Sequence, residues 1–395
     1  MLSRSKMQEI AALEGTARLE AIASCFDVAG AVVSVEPLGN GLINDTFRVT
    51  TAGGEYVLQR INNAIFRDVA LLQRNIEAVT RHIRLKLEAA GVADVDRRVL
   101  TLVPLRDGSA TFLQCGGEFW RMTLFIRGSH TCEEVTPETS YLAGRAFGEF
   151  EAMLSDIPDE IGETIPDFHN MELRARQLDE AVAADRAGRL AADGGAGVIP
   201  ESGPDGASPA ARPGELHEIL DFFSAHRERM CMAERLYREG RLPKRICHCD
   251  TKVNNMLFDE NGQVLCVIDL DTVMPSFVFS DFGDFMRTAA STVPEDWQDV
   301  AAVDFRKDIY EAFSRGYQQS AACFLTPLER ENLPFAVQLF PFMQAVRFFT
   351  DYLNGDTYYK IAYPEHNLVR TRNQVALFHA AMAKVPQMKS FIEKI

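Results

Sequence analysis

Ile246-Cys-His-Cys-Asp-Thr-Lys-Val-Asn-Asn255, followed by Val267-Ile-Asp-Leu-Asp271, decides how the rest of the chain is read. Between the two lie Met256-Leu-Phe258, Asp259-Glu-Asn-Gly262 and Val264-Leu-Cys-Val-Ile268. Asn-Gly between two apolar runs is a strong hairpin signal, so this part predicts strand, tight turn, strand. Such a hairpin returns Asn255 and Asp269 to one end, beside Asp250. Two oxygen ligands and a third carboxylate suit a Mg²⁺ ion and a reacting hydroxyl.

Composition sets the frame. At 395 residues the chain exceeds the size at which one core stops growing, so two lobes are expected. A net charge of −15 argues against nucleic acid or an anionic membrane as partner. The first nine residues have no apolar signal region, and no long apolar run predicts a membrane span. The eight scattered cysteines suit free thiols in a reducing, cytoplasmic setting.

Outward from the central stretch, residues 8–26 read as helix. Three successive strands are expected over Ala31–Val35 and Pro37–Val49, split by the glycine turn, and Tyr56–Ile61, and two further strands at Val99–Val103 and Glu118–Ile126. Asp68 to Ala90 carries Leu71, Leu72, Ile76, Val79, Ile83 and Leu87 at helical spacing, with Gly91 as its cap. The first 126 residues therefore read as a five-stranded antiparallel sheet with one helix. After Gly128 the pattern turns helical: 137–154, 215–239, 303–322, 327–354 with Pro334 and Pro341 as kinks, and 367–381. Residues 193–214, crowded with Gly, Pro, Ala and Ser, read as an exposed, mobile loop.

Asn255 lies five residues after Asp250 and Asp269 nineteen after it. This is the spacing of a kinase-type catalytic loop, His-x-Asp-x-x-x-x-Asn, followed by a metal-binding Asp on a strand. His248 is expected to brace the loop. Asp281-Phe-Gly283 imitates the kinase metal tripeptide, but it comes thirty-one residues after Asp250 and lacks a preceding apolar strand. Asp281 or Asp284 is better suited to accept N–H groups of the loop. Cys247 and Cys249 lack a second ligand pair, so structural zinc is not expected.

With these residues in view, the chain resembles the aminoglycoside phosphotransferase and choline kinase superfamily over nearly its whole length, and within it most closely the N-acetylhexosamine 1-kinases. The resemblance is carried by Gly39-Asn-Gly-Leu-Ile-Asn-Asp-Thr46, Val57–Asn62, Ile165-Pro-Asp-Phe-His169, Asp250–Asn255, Ile268–Pro275, Asp281–Asp284, Arg347–Leu353 and Gly355–Lys360. It implies a two-lobed, protein-kinase-like α+β fold. Residues 1–126 would form the nucleotide-binding lobe and 127–395 a mainly helical catalytic and substrate lobe. It implies ATP and Mg²⁺, with Asp250 as base and Asn255 and Asp269 as metal ligands. Gly39, Asn40 and Gly41 would lie over the phosphates. Met122–Arg127, with Leu124 and Ile126, would be the hinge that pairs with adenine. Asp271 would assist the metal or meet the sugar, and Thr272, Arg347, Asp351 and Tyr359 are sugar-site candidates by motif position.

One departure stands out. The superfamily's third-strand Lys is replaced by Gln59, followed by Arg60. Strand alternation sends the two to opposite faces. Either a bulge turns Arg60 inward, or the positive charge comes from elsewhere, with Lys252 as candidate. Glu77 would be the usual partner of the strand cation. The expected activity is transfer of a phosphoryl group from ATP to the anomeric hydroxyl of N-acetylglucosamine or N-acetylgalactosamine. That hydroxyl is more acidic than an ordinary alcohol, which eases its deprotonation by a carboxylate. The alternatives are a kinase of an aminoglycoside, choline or another hexose, and a non-catalytic kinase-fold binding protein.

Overall fold

Tyr56 and Leu58 alternate with Val57 and Gln59, and that period of two builds the N-terminal sheet. The computed structural model describes residues 4–39, 43–193 and 211–395. Asn40, Gly41 and most of the 193–214 stretch, named above, lie outside the described residues.

The chain forms α1 (Arg4–Ala11), α2 (Gly15–Ala23), β1 (Val32–Pro37), β2 (Asp45–Thr51), β3 (Glu55–Ile61), α3 (Val69–Ala89), β4 (Phe112–Cys115) and β5 (Glu118–Leu124). Then come α4 (Pro137–Leu154), α5 (Met171–Ala184), α6 (Arg189–Asp193), α7 (Glu215–Met230), α8 (Met232–Arg238), β6 (Arg245–Cys247), β7 (Met256–Phe258), β8 (Val264–Val267) and β9 (Met274–Ser276). The remainder is helical: α9 (Val278–Ala289), α10 (Lys307–Ala321), α11 (Pro327–Glu331), α12 (Leu333–Leu353) and α13 (His366–Lys394). This is the expected α+β architecture. Two compact units emerge, 1–132 with 153–166 and 254–274, and 133–152 with 167–253 and 275–395. The sequence drew one cut at 126/127. Contacts instead assign two later segments to the first unit, among them the β7–β8 hairpin.

In the first unit the sheet order is β1-β2-β3-β5-β4, all antiparallel. Val49, Leu58, Trp120 and Met122 turn one face of the sheet into a core shared with Ile10, Ile22 and Phe26. The fifth strand is not Val99–Val103 as expected, but Phe112–Cys115. Gly116 and Gly117, at φ 61° and 84°, close a two-residue hairpin that gives β4 the first half of the β5 edge. The Val99–Val103 run meets β5 further along, through a single bridge at Leu102 and Thr123. The expected helix 8–26 is two helices. Asp68 caps α3 by accepting from the Leu71 N–H, and Gly91 follows its end at φ 67°.

The second unit is held by helix packing. Gly144 and Gly316 allow α4 and α10 to touch: a Cβ on either would sit 2.1 Å from a carbonyl of the other helix. Helix α12 is buried along almost its full length, with Pro341 inside it and Pro334 in its first turn. The expected helix 327–354 breaks at Asn332 into α11 and α12, while the final helix runs far past 381. Among the described residues no helix is long and apolar enough to cross a membrane.

Cys25, Cys115, Cys247, Cys249 and Cys266 are buried, whereas Cys323 is exposed. Burial pushes the Cys247 and Cys249 thiols well above their ordinary range, and that of Cys266 to about 12. Maleimide labelling of the folded protein, followed by peptide mass analysis, should modify Cys323 first and the five buried thiols only on unfolding. Equal labelling rates would contradict this packing.

Candidate active site

The loop after β6 is shaped by main-chain hydrogen bonds to a helix. Cys249 holds φ 62°, an unfavourable value for a residue with a side chain. The His248 and Cys249 N–H groups both donate to the Asp281 carboxylate, at 2.8 and 2.7 Å. The Thr251 N–H donates to Asp284 at 3.1 Å, and its hydroxyl donates to the Asp281 carbonyl. Asp281 and Asp284 lie one turn apart in α9, so one helix face fixes three loop residues, His248, Cys249 and Thr251. His248 is fully buried, edge-on to Phe147 and Phe150. Its Nδ1 accepts from the Asp250 N–H at 3.3 Å. Asp250 is thereby presented at the loop tip, half-buried, with Lys252 Nζ 2.5 Å from its Oδ1. Burial works against the Lys252 charge, but Asp250 and Asp284 outweigh it and raise its pKa.

Asp281-Phe-Gly283 has a packing origin. Phe282 is buried against Tyr310, Phe313 and Tyr317. A Cβ at Gly283 would lie 2.3 Å from the Phe340 ring and 2.7 Å from the Ala336 carbonyl, so the glycine lets α9 and α12 meet. Behind Asp281 stands Glu151, a residue that sequence reading did not single out. It accepts from the Tyr317 hydroxyl and lies with Cys247 and Asp281 inside a 4.8 Å cluster. Burial, then the Asp281 charge, raises its pKa well above the ordinary value. Burial likewise raises Asp281 and Asp284. Arg287 donates to Asp284 and Glu295.

In the first unit, β7 and β8 pair as expected around Asp259, whose side chain accepts the Asn261 and Gln263 N–H groups. The Ile268 N–H donates to the Asn255 carbonyl at 2.9 Å, closing the open end of the hairpin. Asn255 is buried there, and Asp269 is exposed at φ 59°, starting the turn 270–272. An amide and a carboxylate oxygen form a hard donor set that fits Mg²⁺. Ile126 packs with Leu265 and Cys266, and with Leu100, Leu257 and Ile268, in a small apolar cluster under the expected hinge. Leu124 ends β5, its N–H bonded to the Thr101 carbonyl.

The cations differ from expectation. Strand β3 runs in unbroken register with β2 and β5, so no bulge turns Arg60. Arg60 lies on the other face, paired with Asp45 and Glu118. Gln59 instead donates to Thr46 and accepts from Arg121, a β5 residue that sequence reading missed. Arg121 is 4% exposed and ion-paired with Asp271. Asp271, expected at metal or sugar, also accepts from Asn44 Nδ2 at 2.5 Å, so both its oxygens are engaged. Thr272 is buried in the same turn. Glu77 accepts from the Thr111 hydroxyl rather than from a strand cation. The available signals were a lone Arg in the apolar run Phe119-Trp-Arg-Met122 and Asn44 in the glycine stretch.

The sugar-site candidates of the second unit divide. The Arg347 guanidinium lies 5.6 Å from the Phe168 ring, 6.0 Å from Tyr358 and 5.6 Å from Tyr359. The Tyr359 hydroxyl accepts from Gln344 at 3.1 Å. Asp351, expected at the sugar, is buried and accepts the Thr357, Tyr358 and Tyr359 N–H groups and the Asn367 amide. Its carboxylate holds the loop that carries the tyrosines. Beside them, burial and then Arg347 lower the pKa of Arg174 to about 10. Burial, with Arg347 and Arg174, keeps His169 well below its ordinary value.

The model of a phosphotransferase enzyme family matches residues 34–323. Among solved structures, the chain is similar to an aminoglycoside phosphotransferase from Alicyclobacillus acidocaldarius, at 16% identity and a TM-score of 0.55, covering 95% of this chain and 96% of that one. A Plasmodium vivax ethanolamine kinase matches at 13% identity and 0.53, covering 96% of each. A spectinomycin phosphotransferase, solved with ADP and spectinomycin, matches at 12% and 0.53, covering 93% of this chain and 99% of that one.

Two outcomes follow from the loop's support. Asp281→Ala leaves two buried N–H groups without acceptors, so urea unfolding should show a loss of about 3 kcal/mol; an unchanged midpoint would mean that the carboxylate holds nothing. Glu151 has its folded pKa above its unfolded one, so its contribution to stability is full below the ordinary 4.5 and falls as pH rises toward the folded value. Glu151→Gln should therefore flatten the stability profile above pH 4.5, and a profile parallel to wild type would contradict the assignment.

Proposed function

We propose, from the premise that the chain belongs to the phosphotransferase enzyme family, that it is an ATP- and Mg²⁺-dependent kinase of a neutral sugar. The preferred acceptor is the anomeric hydroxyl of an N-acetylhexosamine. The observation that carries the kinase reading is Asp250, held at the tip of a loop whose N–H groups are tied to Asp281 and Asp284. In this reading Asp250 accepts the proton of the attacking hydroxyl, and Lys252 steadies its carboxylate. Asn255 and Asp269 would hold Mg²⁺, which when bound neutralises charge on the nucleotide phosphates. Ile126, Leu257 and Leu265 offer an apolar floor for adenine, with main-chain groups of the hinge for its edge.

Charge supports a neutral acceptor over a cationic one. Arg347 and Arg174 make the region around Phe168, His169 and Tyr359 positive, and His169 stays neutral. A positive field repels the ammonium groups of choline, ethanolamine or an aminoglycoside. It accommodates a neutral, hydroxyl-rich ring, whose apolar face stacks on tyrosine while its oxygens accept from arginine.

The test is a panel of acceptors with Mg²⁺ and ATP, read by product mass: N-acetylglucosamine, N-acetylgalactosamine, glucose, galactose, choline, ethanolamine and spectinomycin. The expected product is an N-acetylhexosamine 1-phosphate, and no product from either hexosamine would overturn the acceptor. Asp250→Asn should lower kcat by at least about 10²-fold while ADP binding persists; unchanged turnover would remove Asp250 from the chemistry.

A further inference from the structure

Gln59 stands where the resembling superfamily carries the cation that holds the nucleotide phosphates. Directly opposite it in the β3–β5 register is Arg121. Leu58 and Trp120 face the core with α1 and α2, so Gln59 and Arg121 together face the other side of the sheet. Arg121 Nε donates to Gln59 Oε1 at 2.9 Å, and Nη1 pairs with Asp271. Asp271 lies two residues after Asp269, in the same turn. We propose that Arg121 supplies the positive charge for the nucleotide phosphates, carried by β5 instead of β3, with Asp271 as its counter-ion in the nucleotide-free protein.

Four observations favour this. A buried Arg–Asp pair is a poor source of stability, because desolvation offsets most of its attraction, so its presence calls for another reason. Of the rival cations, Arg60 lies on the opposite face with Asp45 and Glu118, and Lys252 pairs with Asp250, whereas Arg121 shares the face of Gln59. Glu77, the usual partner of a third-strand cation, is engaged by Thr111, and the partner here is the turn that bears the metal ligand. Finally, a guanidinium offers a planar fork of donors that matches phosphate oxygens. Asn44, which donates to the other Asp271 oxygen and accepts from the Asn62 N–H, keeps that carboxylate in place.

The inference rests on the kinase reading, and calorimetric binding of Mg·ADP and of adenosine separates the two. Arg121→Gln should weaken Mg·ADP roughly ten- to hundred-fold and leave adenosine unchanged, since only phosphate contacts are lost. The double variant Gln59→Lys with Arg121→Gln returns the charge to β3 and should restore most of the preference for Mg·ADP. If wild type binds Mg·ADP and Arg121→Gln keeps the same ADP-to-adenosine ratio, the role of Arg121 is overturned and the kinase reading stands. If wild type binds no Mg·ADP, both fall. Should Arg121→Gln not fold, the double variant decides: a folded protein that prefers Mg·ADP supports the inference, and one that binds both equally overturns it.

Discussion

The Asp281 carboxylate, holding two successive main-chain N–H groups, is the contact on which the shape of the loop carrying Asp250 depends. It keeps Cys249 in a left-handed conformation that a side chain disfavours, and so turns the chain sharply between β6 and Asp250. Its own cost is the burial of a charge, which the first turn of α9 reduces through the partial positive charge of its N-terminus. Asp284, one turn on, extends the same grip to Thr251 and shares Arg287 with Glu295. The loop that carries Asp250 is thus templated by a helix, and the helix is fixed in turn by the close approach of Gly283 to α12.

In the first unit the same economy of charge appears in another form. The sheet carries no lysine at the expected third-strand position, which on its face favours a binding protein without chemistry. Arg121, Asp271 and Asn44 change that reading, because a charge can move to the neighbouring strand without leaving the face of the sheet. A motif defined by sequence position registers this as a loss, whereas cross-strand register places Arg121 directly opposite Gln59.

Local pattern made much of this legible. Alternation, glycine turns and helical spacing gave four of the sheet's strands, α3, α4 and the β7–β8 hairpin. Errors came where two local segments competed. Val99–Val103 has strand composition, but the Gly116-Gly117 turn lets Phe112–Cys115 reach the β5 edge first. Roles that depend on distant partners could not be read at all. Arg121 meets Asp271 across 150 residues, Asn44 across 227, and Tyr317 reaches Glu151 across 166. Asp351 was named from its motif, yet its lone pairs are spent on N–H groups six to eight residues downstream. Spacing alone does not distinguish a carboxylate that meets a ligand from one that shapes the loop beside it.

The Ile268–Asn255 hydrogen bond has a consequence for how this hairpin can vary. It fixes the gap between Asn255 and Asp269 by backbone alone, like the jaws of a calliper locked at the hinge. The tip at Asp259–Gly262 lies at the far end of the ladder and takes no part in setting that gap. Residues can be added or exchanged at the tip, and the β7–β8 rungs will still hold Asn255 and Asp269 at the same backbone separation. Length and surface chemistry are free at one end of the hairpin, and at the other the spacing belongs to the main chain.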